Sequence, residues 1–197
     1  MNCIICLFSG ASAEILRNLD ELSQNMKPGK KSAAKILAET WEKSLERVEN
    51  VETALFLPGL LYSGDEFSDR YRRFVQVGAQ REDQVQNVFE LAFEKGYDRT
   101  IFVEDFGAFC ETKIFSEAIQ ALEEKDMVFA PKPDGSVFLW GMNAHAYNTV
   151  FSFQSDKPEF VVDQISHCIE YQISYKLLPG MDPEQAWGTL RSLFQNQ

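Results

Sequence analysis

Three apolar runs that break off into acid and glycine constrain this chain more than any other feature. Thr100-Ile101-Phe102-Val103 stops at Glu104-Asp105-Phe106-Gly107. Met127-Val128-Phe129-Ala130 stops at Pro131-Lys132-Pro133-Asp134-Gly135-Ser136, and Val137-Phe138-Leu139-Trp140 follows at once. Short runs that are apolar at every position, rather than at alternate ones, belong to strands covered on both faces. In an open α/β sheet the ligand crevice lies outside the carboxyl ends of the strands. The pattern therefore predicts that Asp105 and Asp134 converge at one such rim, on one cation or one sugar.

The rest of the chain supplies the layers such a sheet needs. Cys3 to Phe8 is another continuous apolar run, and it enters Ser9-Gly10-Ala11-Ser12, a small-residue turn suited to close approach by a ligand or by the next helix. Ala13 to Met26 carries Ile15, Leu16, Leu19 and Leu22 at helical spacing, and Lys27-Pro28-Gly29-Lys30-Lys31 breaks it. Ser32 caps a long helix to about Val48, with Ala33, Ile36, Leu37, Trp41, Leu45 and Val48 on its apolar face. Thr53 to Leu57 is a second strand. Leu60 to Phe74 has no clean period, and Phe74 to Val77 is a short extended piece. Glu82 to Lys95 is helical with Gly96 as its stop, and Ile114, Phe115, Ala118, Ile119 and Leu122 mark a further helix. Ala144 to Phe151 is a short helix, Phe160 to Ser174 fits strand or helix, and Leu177 to Gly180 is a short strand and turn. Asp182-Pro183 opens a terminal helix. This order predicts an α/β fold, a three-layer α/β/α sandwich with a mostly parallel central sheet, in one domain over residues 1–197.

Charge and cysteine content narrow the function classes. A net charge of −11 argues against a nucleic-acid surface, which needs clustered cations, but leaves room for a nucleotide held by a few local groups. Cys3 to Phe8 is too short for a membrane span and lacks the basic start of a signal peptide. Cys3 and Cys6 fall on opposite faces of a strand, so buried free thiols and a reducing cytoplasm are expected. His145 and His167 have no neighbour at metal-ligand spacing.

Taken together, Val77-Gly78-Ala79-Gln80, Gly96-Tyr97-Asp98-Arg99, Ile101 to Gly107, and Pro131-Lys132-Pro133-Asp134-Gly135-Ser136-Val137-Phe138-Leu139-Trp140-Gly141 follow a known order and spacing. They resemble the small bacterial glycosyltransferase-A-type proteins called arsenosugar-biosynthesis-type glycosyltransferases, and more distantly the phospholactate guanylyltransferases. A weaker echo runs from Leu177 to Trp187. The resemblance implies a nucleotide-diphospho-sugar-transferase fold. The chain departs from the pattern where the family has a glycine- and lysine-rich loop after the first strand, where Val103-Glu104 replaces Gly-Ser, and where Gly107 and Ser136 replace a proline and a glycine.

Under that resemblance Asp105 binds Mg²⁺ or Mn²⁺ and bridges it to a diphosphate, since hard divalent cations take carboxylate oxygens; a turn cap explains the same residue. Asp134 and Asp182 are the candidate catalytic acids, with Gly10, Gly107, Gly135 and Ser136 as substrate contacts. Pro-Asp-Gly between apolar runs is equally a hairpin turn, and Asp182-Pro183 equally a helix start. Glu104, pointing away from Asp105, reads as a solvated or salt-bridged acid. Lys27, Lys30 and Lys31, or Arg70, Arg72 and Arg73, could neutralise the diphosphate or simply face water. The leading expectation is a glycosyltransferase-like protein that uses a divalent cation to bind a nucleotide sugar. A non-catalytic ligand- or protein-binding member of the fold is the second, and a sugar-phosphate nucleotidyltransferase the third. The expected partners are a nucleotide sugar or other small molecule, with no nucleic acid and no membrane.

Overall fold

Among the described residues, seven strands lie side by side in the order β3-β2-β1-β4-β6-β5-β7. They are β1 (Cys3–Phe8), β2 (Val51–Leu57), β3 (Arg72–Val75), β4 (Arg99–Val103), β5 (Met127–Pro131), β6 (Val137–Asn143) and β7 (Tyr175–Leu177). The computed structural model describes residues 2–8, 33–49, 51–57, 69–104 and 112–180. The expected helices Ala13 to Met26 and from Pro183 onward lie outside them.

β6 alone runs against its neighbours; the other pairings are parallel. The cause is local. Asp134 accepts hydrogen bonds from the Ser136 backbone N–H (3.0 Å) and hydroxyl (2.7 Å), closing a tight turn that sends the chain straight back beside β5. A parallel return would need a long crossover. The sheet is therefore mixed but mostly parallel, as expected. The β6 reversal also brings the β5–β6 turn onto the rim where β1, β2 and β4 end.

Alternation along β1 sorts the two core layers. Cys3, Ile5 and Leu7 face one way, with Leu55, Ile101 and Val103, under helices α1 (Ala33–Leu45) and α3 (Thr112–Glu124). Ile4 and Cys6 face the other way, with Phe56, Phe102 and Trp140, under α2 (Arg81–Glu94) and α4 (Phe160–Glu170). The two thiols are thus buried in different layers, and burial drives the Cys3 thiol up to about 12. Trp41 of α1 meets Phe115 of α3 with ring centroids 5.7 Å apart, tying the first layer together. The second layer is centred on Trp140, whose ring lies 4.6 Å from Phe89, 5.0 Å from Phe160 and 5.8 Å from Phe153.

Local differences from expectation have physical causes. β3 starts at Arg72 because it pairs through its backbone with β2, which does not require an apolar side chain. Phe160–Glu170 is helical: Phe160, Val161, Gln164 and Cys168 bury one face, and that packing overrides the strand preference of Val161-Val162. Ala144–Thr149 forms a 3₁₀ turn. His145 is paired with Asp126 (2.6 Å), which also accepts from Ser174, so it has a structural partner at the end where β5 begins. Among the described residues no helix is long and apolar enough to cross a membrane.

The Trp140 layer yields a direct stability test. Trp140→Ala empties the centre of the aromatic cluster and should cost about 3–5 kcal/mol in denaturant unfolding. Trp140→Phe should cost less than half as much, because the indole N–H it removes is buried without a hydrogen-bond partner among the described residues.

Candidate functional site

The strand order reverses between β1 and β4: β2 and β3 extend one edge from β1, and the later strands extend the other from β4. Leu7 and Val103 are register partners at the carboxyl ends of these two strands. A crevice at such a switch point is the usual ligand position in open α/β sheets. Glu104, the next residue of the chain, continues the ladder by donating its N–H to the Phe138 carbonyl (2.9 Å).

Glu104 is 4% exposed. It shares a face with Phe102, two residues earlier, and so turns inward beneath the start of α2. The Arg81 guanidinium, on the first residue of α2, donates from Nε to Glu104 Oε1 (3.0 Å), from Nη2 to the same oxygen, and from Nη2 to the Glu104 carbonyl (3.1 Å). The other carboxylate oxygen accepts from the Ser155 hydroxyl, which is fully buried. Ser155 in turn accepts the Val137 N–H at its carbonyl (3.1 Å), at the start of β6. One carboxylate therefore joins the end of β4, the start of α2 and the segment that covers β6. Burial raises the Glu104 carboxyl above the ordinary range, outweighing the lowering by Arg81 and Ser155.

The neighbouring residue of α2 repeats the tie. Glu82 accepts from the Gln154 amide (2.9 Å), the Ser152 hydroxyl (3.3 Å) and the Phe153 N–H (3.4 Å). Gly78 makes this start of α2 possible: its φ of +131° is accessible to glycine, and a Cβ there would meet Asp83 Cβ at 2.6 Å. Asp83 closes the helix start by accepting the Gln80 N–H (3.1 Å).

Asp134 lies on the same rim, exposed, at the tip of the β5–β6 turn. Its hydrogen bonds from Ser136 hold its carboxyl below the usual range. Gly135 has φ +87°, and a Cβ there would sit 2.2 Å from the Pro158 carbonyl, so the close approach that needs glycine is made by the chain itself. Ser136 is buried, its hydroxyl donated to Asp134. The structure therefore shows the turn role of Asp134, Gly135 and Ser136 directly. One Asp134 oxygen, Oδ1, takes both Ser136 bonds.

Asp105, Gly107, Gly10 and Asp182 lie outside the described residues, as do Lys27, Lys30 and Lys31. Among the described residues no group of three or more His, Cys, Asp and Glu could hold a metal ion. The described carboxylates do not by themselves assemble a metal site, since both oxygens of Glu104 are already engaged.

Arg70, Arg72 and Arg73 are engaged elsewhere. Arg70 pairs with Glu46 (2.9 Å), Arg72 with Glu52 (3.2 Å) and Arg73 with Asp69 (3.7 Å). The first two pairs line a cleft of about 370 Å³, with Leu45, Val48, Val51, Thr53 and Tyr71, where β2 and β3 begin. That cleft opens on the rim opposite Asp134. Its acids and bases cancel in pairs, which makes it a poor receptor for a highly charged ligand.

Glu104 had been readable only as a solvated or salt-bridged acid. It is salt-bridged and buried. The signal for it was available: an acid two residues after Phe102 on an inward face requires a cation, and Arg81 opens the helix packed on that face.

Residues 43–155 match the family model described as "Uncharacterized protein conserved in bacteria (DUF2064)". No curated protein matches the chain. Among solved structures, one from Desulfovibrio desulfuricans G20, provisionally named a nucleotide-diphospho-sugar transferase, is 16% identical with a TM-score of 0.68, covering 93% of this chain and 82% of that one. CMP:2-keto-3-deoxy-manno-octonic acid synthetase complexed with CTP is 9% identical with a TM-score of 0.59, covering 100% of this chain and 99% of that one. Rv0371C of Mycobacterium tuberculosis H37Rv, in complex with manganese, is 8% identical with a TM-score of 0.52, covering 96% and 97%. At these identities the likeness establishes the fold: an α/β architecture of the nucleotide-diphospho-sugar-transferase and nucleotidyltransferase kind.

The Glu104 ion pair predicts an unusual pH dependence. The folded state holds the Glu104 proton more tightly than the unfolded chain does. Its contribution to stability is therefore fullest below the ordinary carboxylate range and declines as pH rises through the raised folded value. Glu104→Gln should flatten that decline in unfolding curves taken between about pH 4 and 8. Arg81→Gln leaves the carboxylate without its cation and should cost about 2–4 kcal/mol at neutral pH, less than a fully buried pair because Arg81 keeps some water contact. Parallel pH profiles for the wild type and Glu104→Gln would contradict this account.

Proposed function

The chain belongs to the DUF2064 family, and from that premise we propose that it binds a nucleoside-diphospho-sugar at the carboxyl rim of its sheet and transfers the sugar to an acceptor. The observation that carries the reading is positional. The end of β4 and the β5–β6 turn share one rim, at the point where the strand order reverses. The transferase-type fold makes that rim the natural place for a nucleotide. The arsenosugar-type designation would add an acceptor class to this reading, and it rests on the motif resemblance alone.

In this reading Asp105 holds a divalent cation, which when bound would offset diphosphate charge. Asp134 and Asp182 contact the sugar or acceptor, and Gly10, Gly107, Gly135 and Ser136 shape the pocket around them. Arg81 and Glu104 do not touch substrate. Their part is to fix the end of β4, and with it the point from which Asp105 departs. Asp134 is rigid before any ligand arrives, because its Oδ1 is anchored by Ser136. A contact so held loses little conformational freedom on binding.

A second reading has its own support. Glu104 stands where the related pattern has a small residue, and its carboxylate is consumed by Arg81 and Ser155. A chain that has filled this corner with a structural ion pair could keep the scaffold for ligand or partner binding after losing transfer chemistry. Sugar-phosphate nucleotidyl transfer remains a third use of the same rim.

Thermal unfolding with UDP-, GDP-, CDP- and dTDP-sugars, each with and without Mn²⁺, separates these readings. The transferase reading predicts that one nucleotide sugar raises Tm by several degrees in a Mn²⁺-dependent manner, and that Asp105→Ala abolishes the metal-dependent part. Stabilisation without transfer or hydrolysis of the sugar supports the binding-module reading. No shift with any nucleotide removes both.

A further inference from the structure

A nucleotide diphosphate brings concentrated negative charge, and Ser9-Gly10-Ala11-Ser12 after the first strand carries no cation. Some other cation must meet it. Among the described residues Arg47 precedes β2, at the rim where that strand begins, and the other five arginines are committed. Arg70, Arg72 and Arg73 pair with Glu46, Glu52 and Asp69, and the first two line the cleft on the far rim. Arg99 is buried and paired with Glu123 (3.3 Å) where β4 begins. Arg81 is spent on Glu104.

Lys132 differs from all of them. It opens the β5–β6 turn on the carboxyl rim, and its backbone is fixed: its N–H donates to the Ser136 carbonyl (2.8 Å), and its carbonyl accepts the Gly135 N–H (3.0 Å). The side chain is partly buried, and among the described residues its ammonium has no hydrogen-bond or ion-pair partner. It is near enough to both Glu104 and Asp134 that its positive field lowers each carboxyl. The turn thus carries a lysine on a rigid backbone at the rim where β4 ends, two residues before Asp134 at its tip.

Resting on the reading of the rim as a nucleotide site, we infer that Lys132 donates to the diphosphate from the β5–β6 turn. An ammonium on a fixed turn supplies charge-assisted hydrogen bonds to phosphate oxygens, and its flexible stem lets it follow them. The contact discriminates by phosphate content and is indifferent to the base.

The test compares wild type with Lys132→Ala, Lys132→Arg and Lys157→Ala. Lys157 is an exposed neighbour on the loop that packs against Gly135, and it controls for loss of charge in general. Binding of UDP, GDP, CDP and dTDP with Mn²⁺, and of the matching nucleosides, is measured by calorimetry. For the nucleoside diphosphate that binds tightest, Lys132→Ala should weaken affinity by about tenfold or more. Nucleoside binding should be unchanged, Lys132→Arg should stay within about threefold of wild type, and Lys157→Ala within about twofold. Equal affinity of wild type and Lys132→Ala, equal losses for diphosphate and nucleoside, or an equal loss in Lys157→Ala would each overturn the assignment while leaving the rim site standing. If the wild type binds none of the four diphosphates, the rim reading falls, and the Lys132 assignment with it. An unliganded Tm of Lys132→Ala matching wild type shows that the fold is intact; if it drops, Lys132→Arg and Lys132→Gln carry the comparison.

Discussion

A carboxylate with almost no access to water sits where β4 ends, and the organisation of one whole rim depends on how its charge is met. Moving Glu104 from water into the layer beneath α2 is strongly unfavourable unless a cation and hydrogen bonds replace the lost hydration. Arg81 and Ser155 do so from two separate segments, 23 and 51 positions away in sequence. The consequence is mechanical as well as electrostatic. The start of α2 cannot move away from the end of β4, nor can the 152–155 segment lift off β6, without exposing or orphaning that charge. Glu82, one residue further along α2, holds the same segment through three more hydrogen bonds.

The two rims of the sheet are built on different principles. Where β2, β3, β4 and β5 begin, acids and bases are matched locally: Glu46 with Arg70, Glu52 with Arg72, Glu123 with Arg99, Asp126 with His145. These pairs lie at the surface or partly so, add little individually to stability, and leave almost no uncompensated field. At the other rim the matching is incomplete. Glu104 is satisfied by Arg81, but Lys132 has no ion-pair partner among the described residues and Asp134 remains exposed at the turn tip. Charge is therefore left unmatched at this rim and cancelled in pairs at the one opposite, where the described cleft lies.

Much of the scaffold was legible in the sequence because it rests on short-range rules. Unbroken apolar runs gave β1, β2, β4, β5 and β6, and helical spacing of Val85, Val88, Phe89 and Ala92 gave the helix from Arg81. The odd spacing of Cys3 and Cys6 placed them in separate layers. Pro-Asp-Gly announced the turn that reverses β6. The site was less legible for a physical reason. Whether Glu104 is solvated or buried depends on what packs over the end of β4, and the partners that decide it come from distant segments. Val161-Val162 was ambiguous in the same way: β-branched residues favour a strand, and only the face offered by Phe160, Gln164 and Cys168 to the Trp140 cluster makes the segment a helix.

Hydrogen–deuterium exchange in the presence and absence of the stabilising nucleotide sugar and Mn²⁺ tests the central claim, that the rim organised around Glu104 is the ligand-facing one. The account predicts slowed exchange in residues 76–82, at the end of β4 and in the turn 131–137, with residues 46–52 and 70–72 unaffected. Protection confined to the Glu46–Arg72 cleft, with the Glu104 rim unchanged, would contradict it.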